Sequence, residues 1–383
     1  MMRAPVAVIA FPFANTPRSS LRQTSRHRKR NRFPFGSFAP VRWSSYRRDD
    51  FDFDFDFNQG MRDMAIKHGL FLPQGFTGEL AGFQDPAAAW QALTGFAQAA
   101  DAGGYESIWV ADHLHNAMGT QDMLFECWTT TAALLRDTRR IRVGQLVTCN
   151  GYRNPALQAK MASTLDVISG GRLTFGIGAG WWEPDYRAYG YEYPGTAERL
   201  RRLEEAAQVI LALWTEDTVT FDGRYYQVKD AINQPKGVQR PHVPLMIAGG
   251  GEKVTLKLVA RYGDLCNLTD DPATIERKLA VLRKHCADAG RDYASIRKTA
   301  MTLCIIGETD AEAAALVPPW APQVFAGDIA RHGLVGTIDT IRRRLADYEA
   351  AGVDELAISF HDAPGLDMMR AYASAFLSDA DLA

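Results

Sequence analysis

Two short runs of this chain carry residue types that do chemistry. Asp112-His113-Leu114-His115 sets a carboxylic acid beside an imidazole. Histidine is the side chain that titrates near neutrality, so Asp112 and His113 read as an acid/base pair. A histidine packed on a structural rim would have the same sequence. Gly249-Gly250-Gly251 offers bare backbone. Between a strand and a helix, its N–H groups and the helix dipole suit a phosphate, whereas a merely tight turn needs one glycine.

Gly176-Ile177-Gly178-Ala179-Gly180 places glycine at every second position, not in the G-x-G-x-x-G spacing of a dinucleotide site. It reads as a strand end kept open for a flat ring; packing clearance is the alternative. The His113/His115 pair suggests a metal, but it follows strand 2 and no histidine follows strands 4, 5 or 6 to complete a ligand set, so none is expected. There is no G-x-S-x-G nucleophile. Lys67 and Lys298, the lysines on candidate strands, stand at strand starts, away from where an aldolase would need one.

Bringing these runs together requires a scaffold, and the chain beyond residue 65 supplies a repeating one. Short apolar runs at 66–72, 105–110, 140–148, 172–178, 244–248, 264–268, 298–306 and 354–360 suit parallel strands buried on both faces. Helical patterns fall at 87–102, 123–136, 155–169, 196–214, 252–262, 273–289, 337–350 and 365–378. Eight β-α alternations predict an α/β fold, the (β/α)8 barrel of the triosephosphate isomerase type, with its site at the carboxyl ends of the strands. Insertions are expected after strand 4 (179–195), as a hairpin at 218–229 turning at Asp222–Gly223, and after strand 7 (307–336).

The first 48 residues carry eleven basic and no acidic side chains, leaving 32 basic against 45 acidic residues beyond them. The acidic body argues against a nucleic-acid surface. Residues 1–63, ending in the Phe/Asp alternation at 51–57, read as a disordered extension to a barrel over 64–383. That extension suits an organellar transit peptide, a basic arm, or upstream sequence read from too early a start, with Met61 or Met64 the natural one. No apolar run is long enough to span a membrane. Five scattered cysteines without C-x-x-C fit a reducing, cytoplasmic setting better than a disulfide framework.

Five segments, HGLFLP (68–73), AADAGGYESIWVADHL (99–114), NPALQAKMASTLDVISGGRLTFGIGAGW (154–181), PLMIAGGGEKVTLKLVARYGD (244–264) and VGTIDTIRRRLADYEAAGVDEL (335–356), resemble the bacterial luciferase-like monooxygenase superfamily. They are particularly similar to its coenzyme F420-dependent oxidoreductase branch. The resemblance implies a barrel that binds F420, or alternatively FMN, and often dimerises. It implies hydride transfer to a small organic substrate, or with FMN an oxygen-dependent monooxygenase. It matches Asp112 and His113 to an Asp-His pair after strand 2, whose histidine contacts the ring and acts in proton transfer. A bulge with a non-prolyl cis peptide maps to Leu146–Val147, the ring edge to Gly178, Ala179 and Gly180, and the phosphate to Gly249–Gly251. Some F420 enzymes carry an acid after the strand-4 glycines; Trp181 stands there in this chain and Glu183 lies two further on. Trp181, Trp182, Tyr186, Phe221 and Tyr226 would shape the substrate pocket. Arg153, Lys160, Lys253 and Lys257 are placed to meet the carboxylates of an F420 tail.

Overall fold

The computed structural model describes residues 66–377. The basic leader, the Phe/Asp alternation and the boundary at 63/64 lie outside the described residues. Eight strands follow the apolar runs: β1 Lys67–Phe71, β2 Ser107–Val110, β3 Arg142–Gln145, β4 Leu173–Gly178, β5 Leu245–Ala248, β6 Leu265–Leu268, β7 Arg297–Ile306 and β8 Glu355–Phe360. β2, β4 and β6 are buried along their whole length, because a parallel strand covered by helices has no solvent face. Each strand pairs in parallel with the next, in registers such as Leu70↔Ile108, Ile108↔Val143 and Phe175↔Leu245. β8 pairs with both β1 and β7, which closes the barrel.

Eight helices cover it: α1 Pro86–Ala102, α2 Cys127–Asp137, α3 Pro155–Ser169, α4 Thr196–Thr215, α5 Thr255–Tyr262, α6 Pro272–Ala289, α7 Ile338–Ala350 and α8 Asp367–Phe376. Their punctuation is local. Asn154 caps α3 ahead of Pro155, and Gly170 ends that helix in the left-handed conformation at φ 66°. The apolar core has two layers. One lies between strands and helices; the other fills the barrel with Phe71, Trp109, Met246, Met301 and Ala357. At the barrel's amino-terminal end, buried Glu355 accepts from Ser107 at 2.5 Å, Trp109 at 3.2 Å and Arg297 at 3.1 Å. This ionic plug leaves the carboxyl end for ligands.

The strand expected over 140–148 is interrupted. β3 stops at Gln145, the Leu146–Val147 peptide is cis, and Thr148–Cys149 resumes pairing with β4 at Ile177 and Gly178. The insertion after β4 contains a short helix, Glu183–Ala188. The hairpin pairs Val219–Asp222 with Gln227–Ala231, and its reversal occupies Gly223–Tyr226, longer than the tight turn expected. After β7, three short helices precede a strand, Leu334–Gly336, that pairs with the end of β7. α2 and α5 begin at Cys127 and Thr255, later than their apolar periodicity suggests.

Candidate active site

The carboxyl end of β2 is fixed first. Gln74, fully buried, accepts from the Ala111 amide at 2.7 Å and donates to the Ala111 carbonyl at 2.8 Å. From this anchored point His113 reaches a cavity of about 460 Å3 at the top of the barrel. Its ring stacks on Phe76 with centroids 3.9 Å apart. Its Nδ1 lies 2.8 Å from Oδ2 of Asp185, a carboxylate with no solvent exposure in the Glu183–Ala188 helix. Tyr152 donates to the same oxygen at 3.1 Å, and His115 Nδ1 sits 2.6 Å from Oδ1 in a close contact not aligned as a hydrogen bond. With Nδ1 donating to Asp185, Nε2 is the ring nitrogen left to accept a proton.

Asp112 does something different from the acid/base pairing expected with His113. It takes a bidentate pair from Arg153 at 2.7 and 3.1 Å and the Cys149 amide at 2.8 Å. Burial pushes its carboxyl above the usual range, and Arg153 pulls against that shift. Arg153 in turn reaches Glu126 at 2.7 Å. Burial works most strongly against its charge, but Asp112, joined by Cys127 and Glu126, holds the guanidinium above its ordinary range. Asp112 is therefore a clamp joining the ends of β2 and β3. Arg153 is consumed by that clamp, and Lys160 bonds the Gln234 carbonyl, so neither is placed as expected for a cofactor tail.

Leu146, Val147, Gly178, Ala179 and Gly180 line one wall of the cavity. The glycine spacing is packing clearance: a Cβ on Gly178 would stand 2.8 Å from Val147 Cγ2, and one on Gly180 would collide with the Tyr186 hydroxyl. Gly180 also holds φ 78°, where a side chain is strained. Trp181 and Trp182 line the cavity as expected. Glu183 does not; it pairs with Arg187 at 2.6 Å, one turn on along the helix surface. Tyr186 is buried behind the wall, its hydroxyl 3.0 Å from Cys149 Sγ. Phe221 and Tyr226 pack against the core layer outside the cavity, with Tyr226 bonded to Asn150 at 3.1 Å.

Next along the rim, at the end of β5, which pairs with β4, Gly249 meets Thr255 at the start of α5, and Gly249, Gly250 and Thr255 line the cavity. Gly249 adopts φ 123°, a backbone state that favours glycine. Gly251 lies outside the lining and packs on Thr255, and a turn over 252–254 separates it from the helix. Lys278 sits against Gly250 and pairs with Asp270 at 2.6 Å. A wall of Leu146, Val147 and Ala179 beside a glycine cradle one turn ahead of α5, with Thr255 at the helix start, fits a planar ring bearing a phosphate. Among the described residues, no cluster of three or more His, Cys, Asp or Glu is arranged to hold a metal.

Residues 66–329 match the family model described as luciferase-like monooxygenase. An F420-dependent glucose-6-phosphate dehydrogenase from Kineococcus radiotolerans is 32% identical over 234 residues, 60% of this chain and 68% of that protein. An FMNH2-dependent dimethylsulfone monooxygenase from Pseudomonas putida is 34% identical over 143 residues, 37% of this chain and 39% of that protein. Among solved structures, an F420-dependent secondary alcohol dehydrogenase in complex with an F420-acetone adduct superposes with a TM-score of 0.70 at 20% identity. That superposition covers 84% of this chain and 100% of the other.

Proposed function

This chain belongs to the luciferase-like monooxygenase family and is an oxidoreductase; we propose that it transfers a hydride between coenzyme F420 and a small organic substrate. The observation that carries the reading is His113 held by Asp185 in a cavity that ends in a glycine cradle. F420 would supply the carbon centre that accepts or donates hydride. Leu146–Val147 and Gly178–Gly180 would support its ring, and Gly249, Gly250 and Thr255 its phosphate. His113 would take the hydroxyl proton of an alcohol, or return it to a carbonyl, at Nε2. Asp185 fixes the tautomer that leaves Nε2 free, and Tyr152 braces Asp185. Trp182, half-buried in the lining, would screen part of the cavity from water, which strengthens the polar contacts that remain.

FMN is the alternative occupant, favoured by the FMNH2-dependent relative from Pseudomonas putida. The phosphate cradle suits both, but an F420 tail brings several carboxylates. Lys253 and Lys257 are exposed along a surface groove with Arg261, His285 and Arg291, the cations nearest the cradle in sequence. Titrating the purified protein with each cofactor tests the reading.

A further inference from the structure

His115 is the member of the Asp112-His113-Leu114-His115 run that the proposed chemistry leaves without a role. It stands outside the cavity lining, as Asp185 does. His113, His115 and Asp185 are not arranged to hold a metal. The backbone around His115 is nonetheless fixed on both sides. The Leu114 carbonyl before it accepts from Tyr189 at 3.0 Å. After it, buried Asn116 donates to Thr120 Oγ1 at 2.7 Å and accepts from the Thr120 amide at 3.2 Å. A loop built this firmly delivers the second imidazole to one place.

That place is the far oxygen of Asp185. Oδ2 of this fully buried side chain faces His113 Nδ1 and accepts from Tyr152. Oδ1 and His115 Nδ1 are both buried, and neither has a hydrogen-bond partner among the described residues. The two atoms stand 2.6 Å apart. A turn of the imidazole brings its N–H into line with Oδ1 and pairs both. The pairing matters beyond its own bond. A buried carboxylate that lacks partners takes up a proton and becomes neutral. A proton on Asp185 would reverse the contact with His113, so that the carboxyl donates to Nδ1. His113 would then carry its own proton on Nε2 and could not act there as a base.

We propose that His115 is a positioning residue: its Nδ1–H pairs with Asp185 Oδ1, keeps that carboxylate ionised, and so holds His113 in the tautomer with Nε2 unprotonated. The consequence for rate rests on the hydride-transfer reading, whereas the tautomer is measurable without cofactor. The test is nitrogen NMR of the full chain with labelled histidine, at mildly alkaline pH, in wild type, His115→Ala, His115→Leu and His115→Asn. Wild type should carry the His113 proton on Nδ1. His115→Ala and the bulk-keeping His115→Leu have no donor and should move that proton to Nε2. His115→Asn, whose amide can donate from about the place of Nδ1, should restore the wild-type signal. With F420 added, single-turnover hydride transfer should fall about 10–100-fold in the Ala and Leu variants, the effect of one hydrogen bond to a charged group. Substrate affinity should stay as in wild type, and His115→Asn should recover most of the rate. A His113 proton on Nδ1 in all four proteins, on Nε2 in wild type, or unrestored by His115→Asn overturns the proposal. So does a tautomer that moves without slowing transfer. A tautomer that responds as stated in a wild type unable to exchange hydride with F420 keeps the positioning role and overturns the hydride-transfer reading instead.

Discussion

Asp185 Oδ2 lies 2.8 Å from His113 Nδ1, although 72 residues separate the two in sequence. The contact joins the loop after β2 to the insertion after β4 and turns a rim histidine into an oriented one. His113→Ala should therefore slow single-turnover hydride transfer by ~10²–10⁴-fold while the melting temperature moves little. Asp185→Asn should act in the same direction, by up to about 10⁴-fold, the loss seen when the aspartate that orients a general-base histidine becomes asparagine. Unchanged single-turnover rates in both variants would reduce the pair to packing.

Asp112 should report on stability. Breaking a buried ion pair by removing one partner costs about 3–5 kcal/mol, and Asp112→Asn leaves Arg153 with Glu126 alone. Urea unfolding should show a loss of that order. A variant as stable as wild type would mean that the clamp between the ends of β2 and β3 is dispensable.

The phosphate cradle is tested at Gly249. At φ 123° an alanine is strained by about 1–3 kcal/mol, and its Cβ would stand 3.3 Å from Thr255 Cγ2, closer than an ordinary contact, so the threonine must also shift slightly. Gly249→Ala should weaken cofactor binding about tenfold with the barrel still folded. A fluorescence titration indistinguishable from wild type would move the phosphate elsewhere.

Alkaline pH should destabilise the barrel. Burial pushes the Cys149 thiol up from its ordinary value near 9.0 to about 11, and Cys266 to about 12. In the unfolded chain these thiols ionise near 9, so above that pH the folded state holds protons that the unfolded state has released. Their stabilisation is complete below about pH 9 and is lost as pH rises through 11 and 12. Urea midpoints should fall from about pH 8 to about pH 10.5, and Cys149→Ala should flatten the decline. A midpoint that climbs over this interval contradicts the assignment.

The barrel was legible because strands buried on both faces leave continuous apolar runs, as LTFGIG over β4 and LMIA over β5 do. The helix ends were legible where proline or glycine marks them, as at Pro155 and Gly170. The site was legible only in part. Asp112 beside His113 looks like a pair, yet neighbours at a strand end project apart, and Asp112 faces Arg153 instead. Asp185 carries no motif of its own. One signal for it was present: a helical start at Glu183-Pro184-Asp185 puts Glu183 and Asp185 on different faces, so only one can turn inward. Glycines 178 and 180 could not be assigned from spacing, because what fills their missing side chains, Val147 and Tyr186, comes from elsewhere in the chain.

The central claim is that the cradle holds F420 and works by hydride transfer. The measurement is a fluorescence titration of the purified protein with F420 and with FMN, at low and at high ionic strength. F420 should bind more tightly than FMN, and its affinity should fall as salt screens the carboxylates of its tail from Lys253 and Lys257. Preferential binding of FMN, with oxygen-dependent turnover of the reduced flavin, would contradict the claim and make the protein a flavin monooxygenase.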